Sequence, residues 1–369
     1  MKYSVFFFVV FLFCSCAPSK YIVDKDSFSL RFLDDYVIPA ETVFENIPVG
    51  GLSGIDYLGG NKYLFISDQK SNPRFYRASI SLSEQKIDTV IFSEVVLLKT
   101  NENSAYKNQA FDLEAIRENP KTKKIVVTSE GNIKAEKNPG IYLVSPSGKI
   151  LTTYAIPEYF KAKSTAEPQN NGVFEALSHN LDYSGIWVST ELPLKADGPK
   201  PMLVKTISPV RITYFENSSQ TAKKQFVYLL DSIAKIPLLP FYINGVTDIL
   251  AIEKNKFLVL ERQFSAGLGQ HGNTVRIYVA DCSEATNTLM MPALKQKMDK
   301  IVPAKKSLLF DFKTVKNQLP EGIIDNIEGM SFGPTLPNGN KTLLLVADNN
   351  FNSLGPQLNQ IILLELTKP

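Results

Sequence analysis

A short β motif that recurs five times along the chain is the feature that most constrains its fold. In each copy a strand opens on an acidic or small polar residue, and a following apolar run ends on a carboxylate. The strands open at 53–56, 112–116, 174–177, 245–249 and 327–330, and the runs end at Asp68, Glu130, Glu191, Glu261 and Asp348. Repeats of this kind are typical of propellers and other arrays, and innermost propeller strands line a central channel. The sequence therefore predicts an all-β propeller with acids around its axis.

The number of blades is less constrained than the fold. Five motifs can be counted, but the spacings from Glu191 to Gly245 and from Glu261 to Glu328 exceed one ordinary blade. We therefore predict six blades, with five as the alternative. The last motif ends with residues 360–366, which leaves its blade one strand short. Residues 28–39 have strand character but belong to no motif. We expect this N-terminal strand to close the C-terminal blade, because closure removes exposed sheet edges.

Composition excludes one broad class of partner. The chain has 369 residues, of which 44% are hydrophobic, so it can bury a large core. Its 40 basic and 37 acidic residues are mixed along the chain and give a formal net charge of only +3. A basic face for nucleic acid is therefore not expected.

The N-terminus is typical of an export signal. Lys2 precedes the apolar run 5–13, which is too short for a membrane span and ends at Cys14, Ser15 and Cys16. This end resembles a bacterial lipoprotein cleavage site in which Cys16 is lipidated, and ordinary secretion is the alternative. We predict a signal peptide over 1–16, a polar tether over 17–27 and a folded body over 28–369. The protein would be held at the bacterial cell envelope, with the outer membrane as the expected location, through its lipid anchor only.

Several phrases in the body resemble the phytase-like family, which is described as having the esterase-like activity of phytase. In chain order they are GLSGID (51–56), SD with PRFY (67–68 and 73–76), DLEAI (112–116), SEG (129–131), NGVFEAL (171–177), LVLER (258–262) and NIEGM (326–330). Each phrase is weak alone, but their shared order is specific. The resemblance runs from about residue 45 to the C-terminus. It implies a phosphoric ester hydrolase, either phytase-like or phosphodiesterase-like.

Carboxylates clustered around one axis favour a bound cation. Carboxylates in a narrow channel do not all stay ionised unless a positive charge neutralises them. Ca²⁺ takes about six to eight oxygen ligands, and this chain is rich in such oxygens. Its only histidines are His179 and His271, so a His-rich zinc site is poorly supported. We therefore predict Ca²⁺ as the cofactor.

The candidate site residues follow from the motifs and from the implied activity. A bound cation would polarise phosphorus and activate a water. The catalytic candidates are Glu114, Glu175, Glu261 and Glu328, and the metal candidates are Asp68, Asp112, Glu130, Glu191, Asp248 and Asp348. Planar guanidinium groups suit phosphate, so the substrate-binding candidates are Arg74, Arg262 and Arg276. The first motif departs from the pattern, because it carries Ser53 where the others carry an acid.

Other interpretations stay open at this point. Acids at strand ends can instead accept turn amides or pair with arginines, as Glu261 could with Arg262. The partner would be a small phosphate ester or a surface ligand. A non-catalytic binding module with a structural Ca²⁺ would use exposed aromatics such as Tyr76, Tyr106 or Phe351. A Ca²⁺-dependent lactonase or esterase would polarise a carbonyl on the same axis.

Overall fold

The computed structural model of the protein describes residues 28–99, 109–352 and 355–368. The predicted signal peptide, Cys16, the tether and Tyr106 lie outside these residues. The strands, in chain order, are β1 (Ser29–Ile38), β2 (Val43–Phe44), β3 (Ile47–Pro48), β4 (Leu52–Gly59), β5 (Lys62–Ser67), β6 (Arg74–Ser83), β7 (Lys86–Leu97), β8 (Leu113–Glu118), β9 (Ile125–Ser129), β10 (Gly140–Val144), β11 (Ile150–Thr153), β12 (Phe174–His179), β13 (Gly185–Thr190), β14 (Pro209–Glu216), β15 (Thr221–Leu229), β16 (Tyr242–Glu253), β17 (Lys256–Ser265), β18 (Asn273–Asp281), β19 (Lys305–Asp311), β20 (Ile327–Thr335), β21 (Lys341–Ala347) and β22 (Asn359–Thr367).

Helical structure in the described residues is limited to short 3-10 turns. These are Ile133–Ala135, Glu158–Phe160, Gly269–His271, Met298–Lys300, Phe312–Gln318, Pro320–Gly322 and Asn350–Asn352. In the part of the chain that the structure describes, no helix has the length and apolarity needed to cross a bilayer.

Four-stranded antiparallel sheets form five blades, so the expectation of six blades was wrong and the alternative of five is confirmed. Blades one to four are β4–β7, β8–β11, β12–β15 and β16–β19, and the fifth combines β20–β22 with β1. The long spacings that suggested a sixth blade contain extended loops instead, over residues 191–208 and 282–304. The second of these loops packs Leu294 and Ile301 against Val227.

The N-terminal strand closes the ring, as predicted from the sequence. β1 pairs antiparallel with β22, with Ser29 opposite Thr367 and Ile38 opposite Asn359. The last blade thereby gains its fourth strand from the start of the chain. Neither terminal strand is left with a long unpaired edge inside the ring.

The core lies between neighbouring blades. Strands near the axis contain apolar runs, as in residues 343–347, all of which are buried. Short buried runs of this kind are typical of strands covered on both faces. Cys282 belongs to the core cluster between the third and fourth blades, and burial raises the pKa of its thiol to about 12. The thiol is therefore a packing group.

A β-bulge recurs at the same place in every blade and defines which positions are equivalent. The register between the two innermost strands slips after Leu52, Leu113, Phe174, Val246 and Ile327. The residues that follow these positions are Ser53, Glu114, Glu175, Thr247 and Glu328. Bulges re-aim side chains and recur beside functional sites. The fourth blade thus contributes Thr247 at this position, not Asp248 as the motif comparison suggested.

The second strand supplies a matching ring of positions. The residues opposite the bulge are Ser67, Ser129, Thr190, Glu261 and Ala347. The next residue in each blade lies at the end of the second strand, near the propeller axis. These residues are Asp68, Glu130, Glu191, Arg262 and Asp348. Arg262 therefore stands in the fourth blade where the other four blades place an acid. Glu261 is one position earlier and belongs to a different environment.

Candidate metal centre

Carboxylates from four blades converge at one end of the propeller axis. The carboxylate oxygens of Asp112, Glu114 and Glu130 lie within 4.8 Å of one another, as do those of Glu130, Glu175 and Glu191. Glu130 is shared by both triads, and all five residues are buried. We call the whole cluster the acidic cup, which comprises Asp68, Asp112, Glu114, Glu130, Glu175, Glu191, Glu328 and Asp348. Carboxylate ligands for a cation are therefore brought together by the fold itself.

Arg262 completes the cup from the fourth blade. Its Nη2 donates to Glu328 Oε1 at 2.9 Å and lies 3.8 Å from Glu191 Oε1. Lys70 adds a second positive charge at the rim, with Nζ 2.6 Å from Asp112 Oδ2 and a side chain that is 64% exposed. Arg74 and Lys200 also act electrostatically on Asp68 and Glu191, and these four positive charges of the described residues do not balance eight carboxyl groups. The cup retains a strong preference for additional positive charge.

Burial and the close approach of the carboxyl groups in the cup raise their pKa values. Burial, followed by repulsion from neighbouring carboxylates, raises the pKa of Glu114, Glu130, Glu175 and Asp348 well above the ordinary range. Burial also raises the pKa of Asp68 and of Glu191 to about 7. Ionised carboxylates are disfavoured in such a site unless a cation offsets their charge.

Unpaired oxygens in the cup agree with a cation site. Glu130 Oε1 accepts from the backbone N–H of Val173 at 2.6 Å, but Glu130 Oε2 is buried without a hydrogen-bond partner. Glu191 Oε2 and Asp68 Oδ1 are buried and unpaired as well. Buried polar atoms are nearly always paired, and hard cations such as Ca²⁺ are bound by carboxylate oxygens. The donor set of the cup therefore fits Ca²⁺.

Serine residues at the ends of the second strands hold the segments that enter the cup. Ser129 Oγ accepts from the backbone N–H groups of Asp112 and Gly131, at 3.0 and 3.3 Å. Ser67 Oγ donates to the carbonyl of Gly50 at 2.9 Å. These hydroxyls fix the backbone at strand ends, so they serve as structural groups. The same signal is present in the sequence as a Ser before the acid in both motifs.

Asp248, a predicted metal ligand, lies outside the cup and deeper in the channel. Its carboxylate accepts from Arg117 Nη2 at 2.8 Å and from the backbone N–H groups of Met330 and Ile249 at 2.9 and 2.8 Å. Arg117 also donates to the carbonyl of Ile55 at 2.7 Å. The pair fills the middle of the channel, where other blades place small residues such as Gly54. Its oxygens are engaged by protein donors and do not face the cup.

Glu261, a predicted catalytic residue, also lies outside the cup. Its carboxylate accepts from Tyr228 Oη at 2.7 Å, from Asn244 Nδ2 at 2.9 Å and from Lys306 Nζ. The pairing of Glu261 with Arg262 that the sequence allowed is absent, since Arg262 turns to Glu328. Glu261 lies at the strand position that Ser67, Ser129, Thr190 and Ala347 hold in the other blades, one residue before the axial end, and there it pairs with Lys306.

The three predicted phosphate-binding arginines occupy different places, and Arg262 alone among them reaches the cup. Arg74 is buried and donates to Tyr76 Oη at 2.5 Å and to the carbonyls of Asn72 and Pro48 at 3.0 and 3.1 Å. Arg276 Nε donates to Asp311 Oδ2 at 2.9 Å on the outer part of the fourth blade. Those two guanidinium groups are engaged in structural contacts.

The aromatic platform considered for a binding module is not formed by the described candidates. Tyr76 is buried in the core between the first and fifth blades. Phe351 is half-buried, and its ring centroid lies 5.8 Å from the guanidinium of Arg74. Neither ring presents an open face.

Comparison with known proteins assigns the family. The model of the Phytase-like family, described as having the esterase-like activity of phytase, matches residues 47–351. The chain belongs to the Phytase-like family. The match covers the first four blades of this phytase-like propeller, β20 and β21 of the fifth and both triads of the acidic cup, while β1 and β22 lie outside it.

Solved structures resemble the chain more distantly. The native arabinanase Arb43A of Bacillus subtilis is 12% identical, with a TM-score of 0.41, over 86% of this chain and 94% of that one. An exo-1,5-alpha-L-arabinanase from a bovine ruminal metagenomic library is 8% identical, with a TM-score of 0.45, over 85% and 93%. The C-terminal WD40 domain of Sif2 is 10% identical, with a TM-score of 0.33, over 91% and 98%. No property of this chain follows from such distant similarity. No curated protein matches the chain.

Proposed function

We propose that this phytase-like propeller is a Ca²⁺-dependent phosphoric ester hydrolase whose reaction centre is the acidic cup. The observation that supports this most directly is the pair of buried carboxylate triads that share Glu130 and leave its Oε2 unpaired. Structural ion pairs use up their oxygens, as Asp248 and Glu261 do. The cup instead keeps free acceptors beside the guanidinium of Arg262.

The residues of the cup divide into three roles in this proposal. Asp112, Glu114, Glu130, Glu175 and Glu191 would hold the cation. When bound, Ca²⁺ supplies Lewis-acid polarisation of a phosphoryl oxygen and lowers the pKa of a coordinated water. The chain's own residues would bind the phosphate group, orient it and move a proton.

Arg262 and Lys70 are suited to bind the substrate phosphate. Glu328 Oε1 orients the guanidinium of Arg262, whose Nε is buried and has no acceptor. An unsatisfied guanidinium N–H next to a cation site would donate to a phosphate oxygen. Lys70 extends from the exposed rim to Asp112, so it would meet the phosphate as it enters.

Asp68 is the proposed proton donor to the leaving oxygen. It lies outside both triads, and its Oδ1 has no hydrogen-bond partner. Its pKa, raised by burial to about 7, suits a general acid near neutral pH. In this role Oδ1 holds the proton and passes it to the alkoxide as the ester bond breaks.

The proposal includes attachment to the bacterial envelope through lipidated Cys16. β1 begins at Ser29, opposite Thr367, and reaches the cup end only at Ile38, opposite Asn359. A tether that precedes Ser29 would join the propeller at the end far from the cup. The cup would then face away from the membrane, which favours a small soluble phosphate ester as substrate.

Phosphate release tests the activity. The protein starting at Cys16 is incubated with phytate, a simple phosphomonoester and a phosphodiester, with Ca²⁺ or with chelator. We expect Ca²⁺-dependent turnover that falls at least about 100-fold in Glu130→Gln, because one change disrupts both triads. Glu261→Gln is the matched control, since it makes the same change outside the cup and should keep its turnover. Absence of phosphate release, or equal loss in both variants, would refute the proposal, and turnover of a cyclic ester alone would assign a lactonase.

A non-catalytic binding module is the second candidate, and one observation favours it. Two loops at the cup end expose apolar side chains, over residues 202–207 and 236–241. Exposed apolar patches often mark contact surfaces. If Ca²⁺ raises the melting temperature while none of the esters is hydrolysed, this candidate replaces the hydrolase.

A further inference from the structure

A cavity of about 250 Å³ with a charged lining lies on the fourth blade, outside the acidic cup. Its charged lining comes from three separate elements. Lys235 is in the loop after β15, Arg276 is on β18, and Lys313 and Lys316 are on the 3-10 turn Phe312–Gln318. None of the residues lining this cavity belongs to the cup.

The cavity is strongly basic. Four cationic side chains line it, and the one carboxylate among its lining residues is that of Asp311. Asp311 is engaged already, because it accepts from Arg276 Nε at 2.9 Å and from the backbone N–H of Lys313 at 2.9 Å. The pKa of Lys235 is lowered by burial and by the nearby charge of Lys316. Like charges are thus held close together around an open space.

The fold fixes two of these cations, Lys235 and Arg276, in position. Lys235 Nζ donates to the backbone carbonyls of His271, at 2.8 Å, and of Asn273. Arg276 is fixed by Asp311 and lies 3.7 Å from Asp231. Holding like charges together costs free energy when nothing neutralises them. A site of this kind is stabilised by an anion.

We propose that this cavity binds a phosphate group at a site separate from the acidic cup. Guanidinium and ammonium donors from Arg276, Lys313 and Lys316 match the oxygens of a phosphate monoester or diester. Thr274 and Asn273 line the same cavity and add polar side chains. The cavity is larger than a single phosphate ion, so part of the attached organic group also fits.

The phosphate group could come from a soluble ester or from a lipid headgroup. The chain continues from Lys235 directly into the exposed apolar residues Ile236, Leu238, Leu239 and Phe241. A lipid headgroup as the source would require this end of the propeller to approach a bilayer, opposite to the orientation proposed for the lipid anchor. Both sources share the chemistry that the cavity recognises. Two binding assays separate them.

The test uses the protein starting at Cys16, in chelator so that no cation in the cup contributes. One assay titrates inorganic tripolyphosphate by calorimetry at low salt, and the other measures binding to phosphatidylcholine vesicles with and without phosphatidylglycerol. The variant Lys313→Gln/Lys316→Gln removes two cavity charges. The control Lys62→Gln/Lys86→Gln removes two exposed charges from the first blade.

We expect saturable binding in at least one assay, with a Kd that rises about tenfold or more in the cavity variant. The control variant should bind like the unaltered protein, and the assay that shows binding identifies the source. Equal weakening in both variants would show a general charge effect and overturn the proposal. Absence of saturable binding in both assays would overturn it as well.

Discussion

At the scale of single residues, equal motifs have unequal roles. Glu130 and Glu261 both end an apolar run in the sequence, but Glu130 belongs to two triads and Glu261 is paired with Lys306. The difference arises from position along the strand, because Glu261 stands one residue earlier than the acids of the other blades and Arg262 takes their place at the axis. The acids themselves could be predicted from the sequence. The replacement of one acid by Arg262 could not, because a one-residue slip in register reverses which side chain faces the channel.

The variant Glu261→Gln should lower stability without changing the cup. The substitution leaves Lys306 with a weaker buried partner, so we expect a loss of about 3 kcal/mol in the free energy of unfolding. Chemical denaturation measures the loss. The variant Glu94→Gln is the control, because its ion pair with Arg77 is more exposed and should contribute less than about 1 kcal/mol. A similar loss in the free energy of unfolding for both variants would show that the buried network around Glu261 contributes no more stability than an exposed ion pair.

At the scale of elements, the innermost strands combine two tasks. Their bulges place Glu114, Glu175 and Glu328 in the cup, and the next layer closes the channel through Arg117 and Asp248. The strands and turns were predictable from apolar runs and glycine-rich turns. The bulges were not, because a bulge depends on the pairing of two strands and leaves no fixed residue signature. The position of Asp248, deeper in the channel than the cup, could therefore not be predicted.

A double-mutant cycle tests whether Arg117 and Asp248 act as a unit. Each of Arg117→Met and Asp248→Asn should cost about 3–5 kcal/mol in the free energy of unfolding, because each leaves a buried charged partner uncompensated. The double variant should cost at least about 1 kcal/mol less than the sum of the two. Strict additivity in denaturation experiments would contradict the direct coupling that their 2.8 Å contact implies.

At the scale of the whole molecule, the propeller places a charged centre where five blades meet. The all-β ring and its closure by β1 followed from the repeat, while the number of blades did not. Spacing along the chain does not distinguish a blade from a long loop, and residues 191–208 and 282–304 are loops. The closed ring also allows acids from four blades to be buried together, at a cost in stability that depends on pH and on bound cations.

The stability of the cation-free protein should fall as pH rises through neutrality. The pKa of Asp68 and of Glu191 is about 7 in the folded protein, above the ordinary value, so the folded state keeps protons that the unfolded chain has lost. Their contribution is fully present below about pH 4 and is lost as pH rises through about 7. In chelator, the melting temperature should therefore be several degrees lower at pH 8 than at pH 5.5.

Added Ca²⁺ should reverse this trend, because a cation held by Glu191 and its neighbours replaces the proton that Glu191 loses. The increase in melting temperature on adding Ca²⁺ should be larger at pH 8 than at pH 5.5. Calorimetric melting at both pH values measures it. An equal increase at both values would indicate that the cation binds away from the titrating carboxyls.

Direct titration of Ca²⁺ into chelator-treated protein, by isothermal calorimetry at pH 7.5, tests the central claim that the acidic cup is a cation site. We predict saturable binding to the unaltered protein, a loss of affinity of at least about 100-fold in Glu130→Gln and an unchanged affinity in Glu261→Gln. The two variants carry the same chemical change at similar sequence motifs, so they differ only in whether the carboxylate lies in the cup. Binding that survives in Glu130→Gln, or no binding to the unaltered protein, would contradict the account.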